Sequence, residues 1–175
     1  ILTGYQFLTK KPMLYVANVS VDALPSYDNP YVKQVAEHAK KEGTPLVAIS
    51  AKVEEEISQL SKEERAEFLM SLGLEESGLN KMVRASFEML NLITYITTGE
   101  IETRAWTITK GMTAQQAAGK IHSDIEKGFI RAEVVSFKDM IEYKGRVGAR
   151  EAGKARSEGK EYIVQDGDVI LFMHN

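Results

Sequence analysis

The 175-residue sequence has no cysteine, which excludes disulfides, thiolate metal sites and a cysteine nucleophile and favours a reducing compartment. Proline is scarce, and Pro12, Pro25, Pro30 and Pro45 all fall in about the first quarter, where they punctuate alternating strand and helix signals. No apolar run approaches the roughly 20 residues that span a bilayer. Residues 1–11 lack the basic start and unbroken apolar stretch of a signal peptide. Neither sign of charge dominates. Lys and Arg number 22 against 25 Asp and Glu, so no global positive field draws the chain to nucleic acid or an anionic membrane, and any such contact uses a local patch. His38, His122 and His174 lie far apart without metal-ligand spacing, and no Ser-His-Asp or paired-carboxylate arrangement is supported. What remains is ordinary globular composition, 43% hydrophobic and 27% charged, enough for one or two domains. A chain opening at Ile1 in this way points to the latter part of a longer protein.

The pattern along the chain changes character near residue 91. Before it, Met13–Ala17 and Leu46–Ile49 are short apolar runs of buried-strand type. Between them Asn29 caps a helix with Pro30 at its first position, Val32, Val35, Ala36 and Ala39 on one face, and Gly43 as its stop. Strand, helix and strand make a βαβ unit, whose strands should be parallel neighbours. Three further helices follow, the second opened by the capping box Ser61-Lys-Glu-Glu64. Glu54, Glu55 and Glu56 belong to an exposed helix start. After residue 91, Leu92–Thr97 and Thr103–Ile108 carry the β-branched and aromatic residues of a hairpin. Thr113-Ala-Gln-Gln116 caps a short helix, at whose end His122 is a capping or packing residue, and Ile130–Phe137 and Tyr162–Phe172 are further strands, the last broken by a turn at residues 166–168. The expected division is an α/β domain over residues 1–90 and a small α+β domain over residues 91–175. The first part holds the acidity, 10 basic against 13 acidic side chains, and the second holds 12 of each.

In open α/β sheets ligands sit beyond the carboxyl ends of the strands. There the chain places Asn18-Val-Ser-Val21 and Ser50-Ala-Lys52. An Asn amide offers a donor and an acceptor in one plane, the geometry that reads a purine edge. The same residues also end strands by local hydrogen bonds, and the residue types alone leave both readings open.

Order and spacing bring a family into view. An N-x-x-D/E-like tetrapeptide after one strand and an S-A-K triplet after the next resemble the base-recognition elements of P-loop GTPases. Lys11-Pro-Met-Leu-Tyr-Val-Ala-Asn18, Arg104-Ala-Trp-Thr-Ile108, Gln116–Asp124, Glu126–Ile130 and Tyr162–Val169 together resemble the carboxyl-terminal half of the YchF or Obg-like ATPase family. The resemblance implies the tail of a P-loop nucleotide-binding α/β domain, followed by a β-grasp (TGS-like) domain. It also implies an upstream half carrying the phosphate loop, the switch regions and the Mg²⁺ ligands, since the chain has no G-x-x-x-x-G-K-[ST]. Carried across by motif, Asn18 would bind the purine edge, Val19 would offer backbone, Ser50 and Ala51 would close the other side, and Lys52 would either lay its stem along the base or face solvent. Val21 stands where the family has Glu. Guanine's N1–H and N2–H₂ donors need a carboxylate, and leaving them unpaired costs about 1–3 kcal/mol per buried group. ATP is therefore expected over GTP, with Asp22 next door able to blur the choice.

Residues 91–175 resemble a TGS module, on Gly111–His122 and Asp166–Ile170, and such modules are associated with RNA, ribosomes and regulatory contacts. Between residues 144 and 160 six basic side chains face Glu151 and Glu158, a local net charge of +4. Were that stretch helical, Arg146, Arg150 and Lys154 would form a stripe suited to phosphates, the alternative being a solvated helix face. Gly145, Gly148 and Gly153 weaken the helix. Trp106 shares a strand face with Arg104 and Ile108 and is expected in the core or at an apolar interface. The leading expectation is half of a cytoplasmic nucleoside-triphosphate hydrolase acting as a translation- or stress-associated regulator, with nucleotide and ribosome or RNA as partners, and neither membrane contact nor DNA specificity. The alternatives are a non-enzymatic RNA- or ribosome-binding module and a protein-interaction domain.

Overall fold

The computed structural model describes residues 4, 7–99 and 102–175. The chain divides into two compact units, Ile1–Leu90 and Asn91–Asn175.

In the first unit β1 (Tyr15–Asn18) and β2 (Leu46–Ile49) form a two-stranded parallel sheet, paired from Tyr15 with Leu46 to Asn18 with Ile49. The crossover helix α1 (Pro30–Glu42) begins where Asn29 Oδ1 accepts the Tyr31 N–H at 2.8 Å and stops at Gly43, whose φ of 68° suits glycine. Three helices follow: α2 (Ala51–Gln59), α3 (Lys62–Ser71) and α4 (Gly78–Met89). Both halves of the Ser61–Glu64 capping box form. Glu54 departs from the expected exposed helix start. It is half-buried, and its Oε1 accepts the Gly78 N–H at 2.7 Å, so it caps α4. Gly78 itself permits close approach, since a Cβ there would sit 2.7 Å from Ile49 Cγ2.

The second unit is a five-stranded sheet whose strands, in spatial order, are β4 (Thr103–Thr109), β3 (Leu92–Thr98), β7 (Asp168–His174), β5 (Phe129–Ser136) and β6 (Arg156–Glu158). The hairpin of β3 (Leu92–Thr98) and β4 (Thr103–Thr109) pairs over all seven residues. Strand β7 (Asp168–His174) lies between β3, which it meets in parallel, and β5 (Phe129–Ser136), which it meets antiparallel. Helix α5 (Ala114–Ile121) buries Ala114, Ala117 and Ala118 against Ile93, Tyr95, Ile108, Val134 and Ile170. Tyr95, fully buried, donates its hydroxyl to the Ala117 carbonyl at 2.9 Å. Each large apolar side chain buried here contributes about 1.5–3 kcal/mol. The short α6 (Ser123–Lys127) is capped by His122, whose Nδ1 accepts the Asp124 N–H at 3.2 Å. Trp106 is half-buried against this core and donates its indole N–H to Thr97 Oγ1 at 2.8 Å.

Two expectations are corrected here. The strand expected from Tyr162 begins at Asp168. Tyr162–Val164 forms only an isolated bridge, Thr113 to Ile163, with the Ala114 N–H given to the Tyr162 carbonyl and the Val164 N–H to the Met112 carbonyl, and the pairing stops where the buried Asp168 carboxylate accepts the Gln165 N–H. The basic stretch is not one helix. Helices α7 (Phe137–Glu142) and α8 (Arg146–Glu151) are separated by a left-handed Lys144–Gly145 corner, and α8 ends before Gly153, which is also left-handed. Lys154 therefore shares no helical stripe with Arg146 and Arg150.

Candidate functional site

The carboxyl ends of β1 and β2 meet through one side chain. Parallel pairing brings Asn18 beside Ile49, so the strand tips end level, and Asn18 Oδ1 accepts the Ala51 N–H at 3.0 Å. That bond joins residues 33 apart in sequence and uses one of the two lone pairs of the amide oxygen. The second lone pair of that oxygen and the NH₂ group are the polar capacity Asn18 has beyond this bond, and an NH₂ donor suits a ring nitrogen such as purine N7.

Val19 has its side chain buried and its N–H given to the Ile49 carbonyl at 2.8 Å, which extends the ladder by one residue. Its carbonyl is the backbone group available to a ligand. Val21 opens a 3-10 turn (Val21–Ala23) and is half-buried, while the adjacent Asp22 is exposed. No carboxylate stands at position 21 itself.

Across the gap, Ser50 is the N-terminal cap residue of α2 yet makes no capping bond with its side chain. Only 3% of the residue is exposed, and its Oγ finds no hydrogen-bond partner among the described residues. A buried hydroxyl left in that state costs about 1–3 kcal/mol, a penalty that a polar ligand atom would remove. Ala51 and Lys52 are exposed at the first turn, where helical N–H groups have no intrahelical acceptor. Lys52 takes part in no ion pair among the described residues, and its stem is free to follow a flat ligand.

On the other side of Asn18 a cavity of about 230 Å³ is lined by Ala17, Asn18, Val19, Asn29, Tyr31, Val32 and Val35. Tyr31 is 76% exposed there. Its position beside Asn18 has no sequence signal, because Asn29-Pro30-Tyr31 reads as a strong helix start and the closeness of two segments shows only once β1 and α1 are packed.

The basic residues of the second unit are placed differently. Arg146 and Arg150 converge on Glu133 of β5. Arg150 makes a fork at 2.8–3.1 Å, and Arg146 lies 3.7 Å away while also donating to the Thr98 carbonyl and hydroxyl at 3.1 and 2.8 Å. The Glu133 bond and charge raise the Arg150 pKa above the usual arginine value. These two side chains fasten α8 to the sheet. Lys154 is exposed and makes no ion pair among the described residues. No cluster of His, Asp or Glu among the described residues could hold a metal ion, and no helix among them is long and apolar enough to cross a membrane.

Comparison with known proteins adds the family. Residues 92–175 match YchF-GTPase_C, described as a protein of unknown function (DUF933). The chain is 58% identical over 169 residues to the ribosome-binding ATPase YchF of Escherichia coli O157:H7, and 53% identical over 170 residues to that of Bacillus subtilis strain 168. These alignments cover 97% and 96% of the chain. The chain thus carries a YchF-GTPase_C domain and is similar to YchF proteins over nearly its whole length. It spans 46% of the length of each of these two relatives. Among solved structures, the YchF GTPase of Schizosaccharomyces pombe superposes with a TM-score of 0.83 at 36% identity, covering 95% of this chain and 44% of that one. A GTP-binding protein of Pyrococcus horikoshii OT3 shares the fold, with a TM-score of 0.63 at 22% identity over 94% of this chain and 46% of that one.

Proposed function

We propose that the chain is the carboxyl-terminal half of a cytoplasmic, ribosome-associated nucleoside-triphosphate hydrolase, and that it supplies the base-recognition end of the nucleotide site. The observation that carries this reading is the junction at the strand tips. Asn18 ties β1 to α2 through its side-chain carbonyl oxygen, and among the described residues neither its NH₂ group nor the buried Ser50 hydroxyl has a hydrogen-bond partner. The names of the relatives, ribosome-binding ATPases, support the same activity and partner. Phosphate and Mg²⁺ chemistry belongs to a phosphate loop that this sequence does not contain. Within the present residues the work is binding and orientation: Asn18 holds N7, Ser50 and the first turn of α2 meet the opposite edge, and Lys52 lies along the ring.

ATP is the preferred nucleotide in this reading. Guanine brings N1–H and N2–H₂ donors toward position 21, where Val21 offers no acceptor, whereas adenine brings no such pair. The second unit acts as a TGS-type recognition module, and of Arg146, Arg150 and Lys154 it is Lys154 that has no ion pair among the described residues and is open to phosphate.

The test uses the full-length parent and competitive displacement of a labelled nucleotide. ATP should displace it at lower concentration than GTP, and Val21→Asp should narrow the difference. A parent that prefers GTP by about tenfold, or about 1.4 kcal/mol, would overturn the base assignment. Reading the upstream sequence tests the hydrolase itself, because a missing phosphate loop would leave a binding module.

A further inference from the structure

Strand β4 ends the second unit's sheet with one side unpaired, and two bonds beyond the hairpin show which of its groups lie open. The Lys110 N–H donates to the Asn91 carbonyl at 2.7 Å, and the Gly99 N–H donates to the Glu102 carbonyl at 2.8 Å. Even-numbered residues of β4 therefore direct their backbone groups at β3. Thr103, Ala105, Thr107 and Thr109 direct theirs outward. All four are exposed, and only the Thr109 carbonyl has a partner among the described residues, the Met112 N–H at 3.2 Å.

Natural sheets blunt such edges with short strands, lysines, prolines or bulges. The opposite edge follows that rule, since β6 has three residues, Arg156–Glu158, two of them charged. Strand β4 does not: it runs seven residues in unbroken register without proline or lysine. Its one charge, Arg104, lies over the Trp106 ring at 4.3 Å. A row of alternating amide donors and carbonyl acceptors is complementary to an extended polypeptide and has no counterpart in RNA.

We propose that this edge pairs with the same edge of a second copy of the chain, antiparallel about a two-fold axis through Trp106. The argument for a second copy is that β4 is complementary to itself in this register. Ala105 and Thr107 exchange both backbone bonds with Thr107 and Ala105 of the second copy, and the Thr109 N–H reaches the Thr103 carbonyl. At the ends Glu102 falls opposite Lys110 of the second copy. Both are exposed, and neither has an ion pair among the described residues. Centring the pair on Thr107 would set Arg104 against Lys110, and centring it on Ala105 would leave Glu102 opposite Ile108. Charge selects the Trp106 register. One strand pair buries less than the roughly 1,200–2,000 Å² typical of stable interfaces, so the association is reversible.

The experiment is sedimentation velocity on the 175-residue chain from micromolar to submillimolar concentration, alongside emission of Trp106, the sole tryptophan. A monomer–dimer equilibrium is expected, with an emission change that follows it. Glu102→Lys or Lys110→Glu alone should weaken the dimer by about tenfold, and combining the two should restore it. Thr107→Pro removes an outward N–H that β3 does not use and should abolish the dimer with circular dichroism unchanged. A chain that stays monomeric throughout, as it would if the edge served another protein's strand, overturns the proposal. So does a dimer indifferent to the charge exchange, a result independent of whether the proline variant folds.

Discussion

Replacing Asn18 with Asp separates the two jobs assigned to one amide. The carboxylate still accepts the Ala51 N–H, and it does so at the first turn of α2, where negative charge is favourable. The tie between strand tips therefore survives, and the urea midpoint of the chain should not fall. The NH₂ donor is gone, replaced by an oxygen that repels the lone pair of purine N7. Losing the bond and leaving N7 against an acceptor should together cost about 2–3 kcal/mol, or roughly 30- to 150-fold in nucleotide affinity. Asn18→Ala removes the tie as well. Ala51 is exposed and its N–H regains water, so the added stability loss should be only about 0.5–1 kcal/mol. The assay is calorimetric titration of ATP into the full-length parent and both variants, with unfolding measured in parallel. An Asn18→Asp protein that binds ATP as tightly as the parent would remove the amide from base recognition, whatever Asn18→Ala did.

Residues 91–175 should fold alone, because the five strands and the α5 core lie within them, and dispersed amide signals from that segment would show it. Arg146→Glu should destabilise this unit by about 1–3 kcal/mol in urea titration, since it sets a second carboxylate beside the 14% exposed Glu133 side chain. Lys154→Glu should leave stability alone and lower the salt slope of ribosome or RNA binding by about 0.7–0.9 for each phosphate left without its cation, an outcome read from binding isotherms at several ionic strengths. Burial holds the Tyr95 hydroxyl above the usual tyrosine value, and burial with the Asp168 bond pushes Tyr162 up to about 12. Unfolded tyrosines ionise near pH ~10. The stabilisation from these protonated hydroxyls should thus be complete below that pH and be lost as pH rises through the folded values, as urea midpoints measured from neutral to alkaline pH would report.

The local signals that survived packing were those that close within a few residues. Asn29-Pro30, the Ser61 and Thr113 capping boxes and the Leu92–Thr109 hairpin each satisfy their own backbone groups, so the residues that announce them also build them. The sequence also located both strand tips, since Asn18 and Ser50 follow apolar runs of strand length. It did not disclose the bond that the Asn18 amide oxygen accepts from Ala51, 33 residues on. The pairing of Arg146 and Arg150 stayed hidden for a related reason. Glu133 is on β5, 17 residues before Arg150, and no count of charges in residues 144–160 includes the carboxylate that occupies two of them. Tyr162–Gln165 misled because its partner edge is only the short Met112–Ala114 segment before α5, enough for one bridge, and at Gln165 the N–H turns to Asp168 instead.

The Asn18–Ala51 bond also couples binding to local opening. When the first turn of α2 detaches, Ala51 exchanges its amide hydrogen and the Asn18 side chain loses the support that orients its NH₂ group. Any base that uses that NH₂ selects the closed state and slows the opening it excludes. Exchange at Ala51 is then a thermodynamic gauge of the proposed purine site, to be slowed by ligand to the extent that the base depends on the joined strand tips.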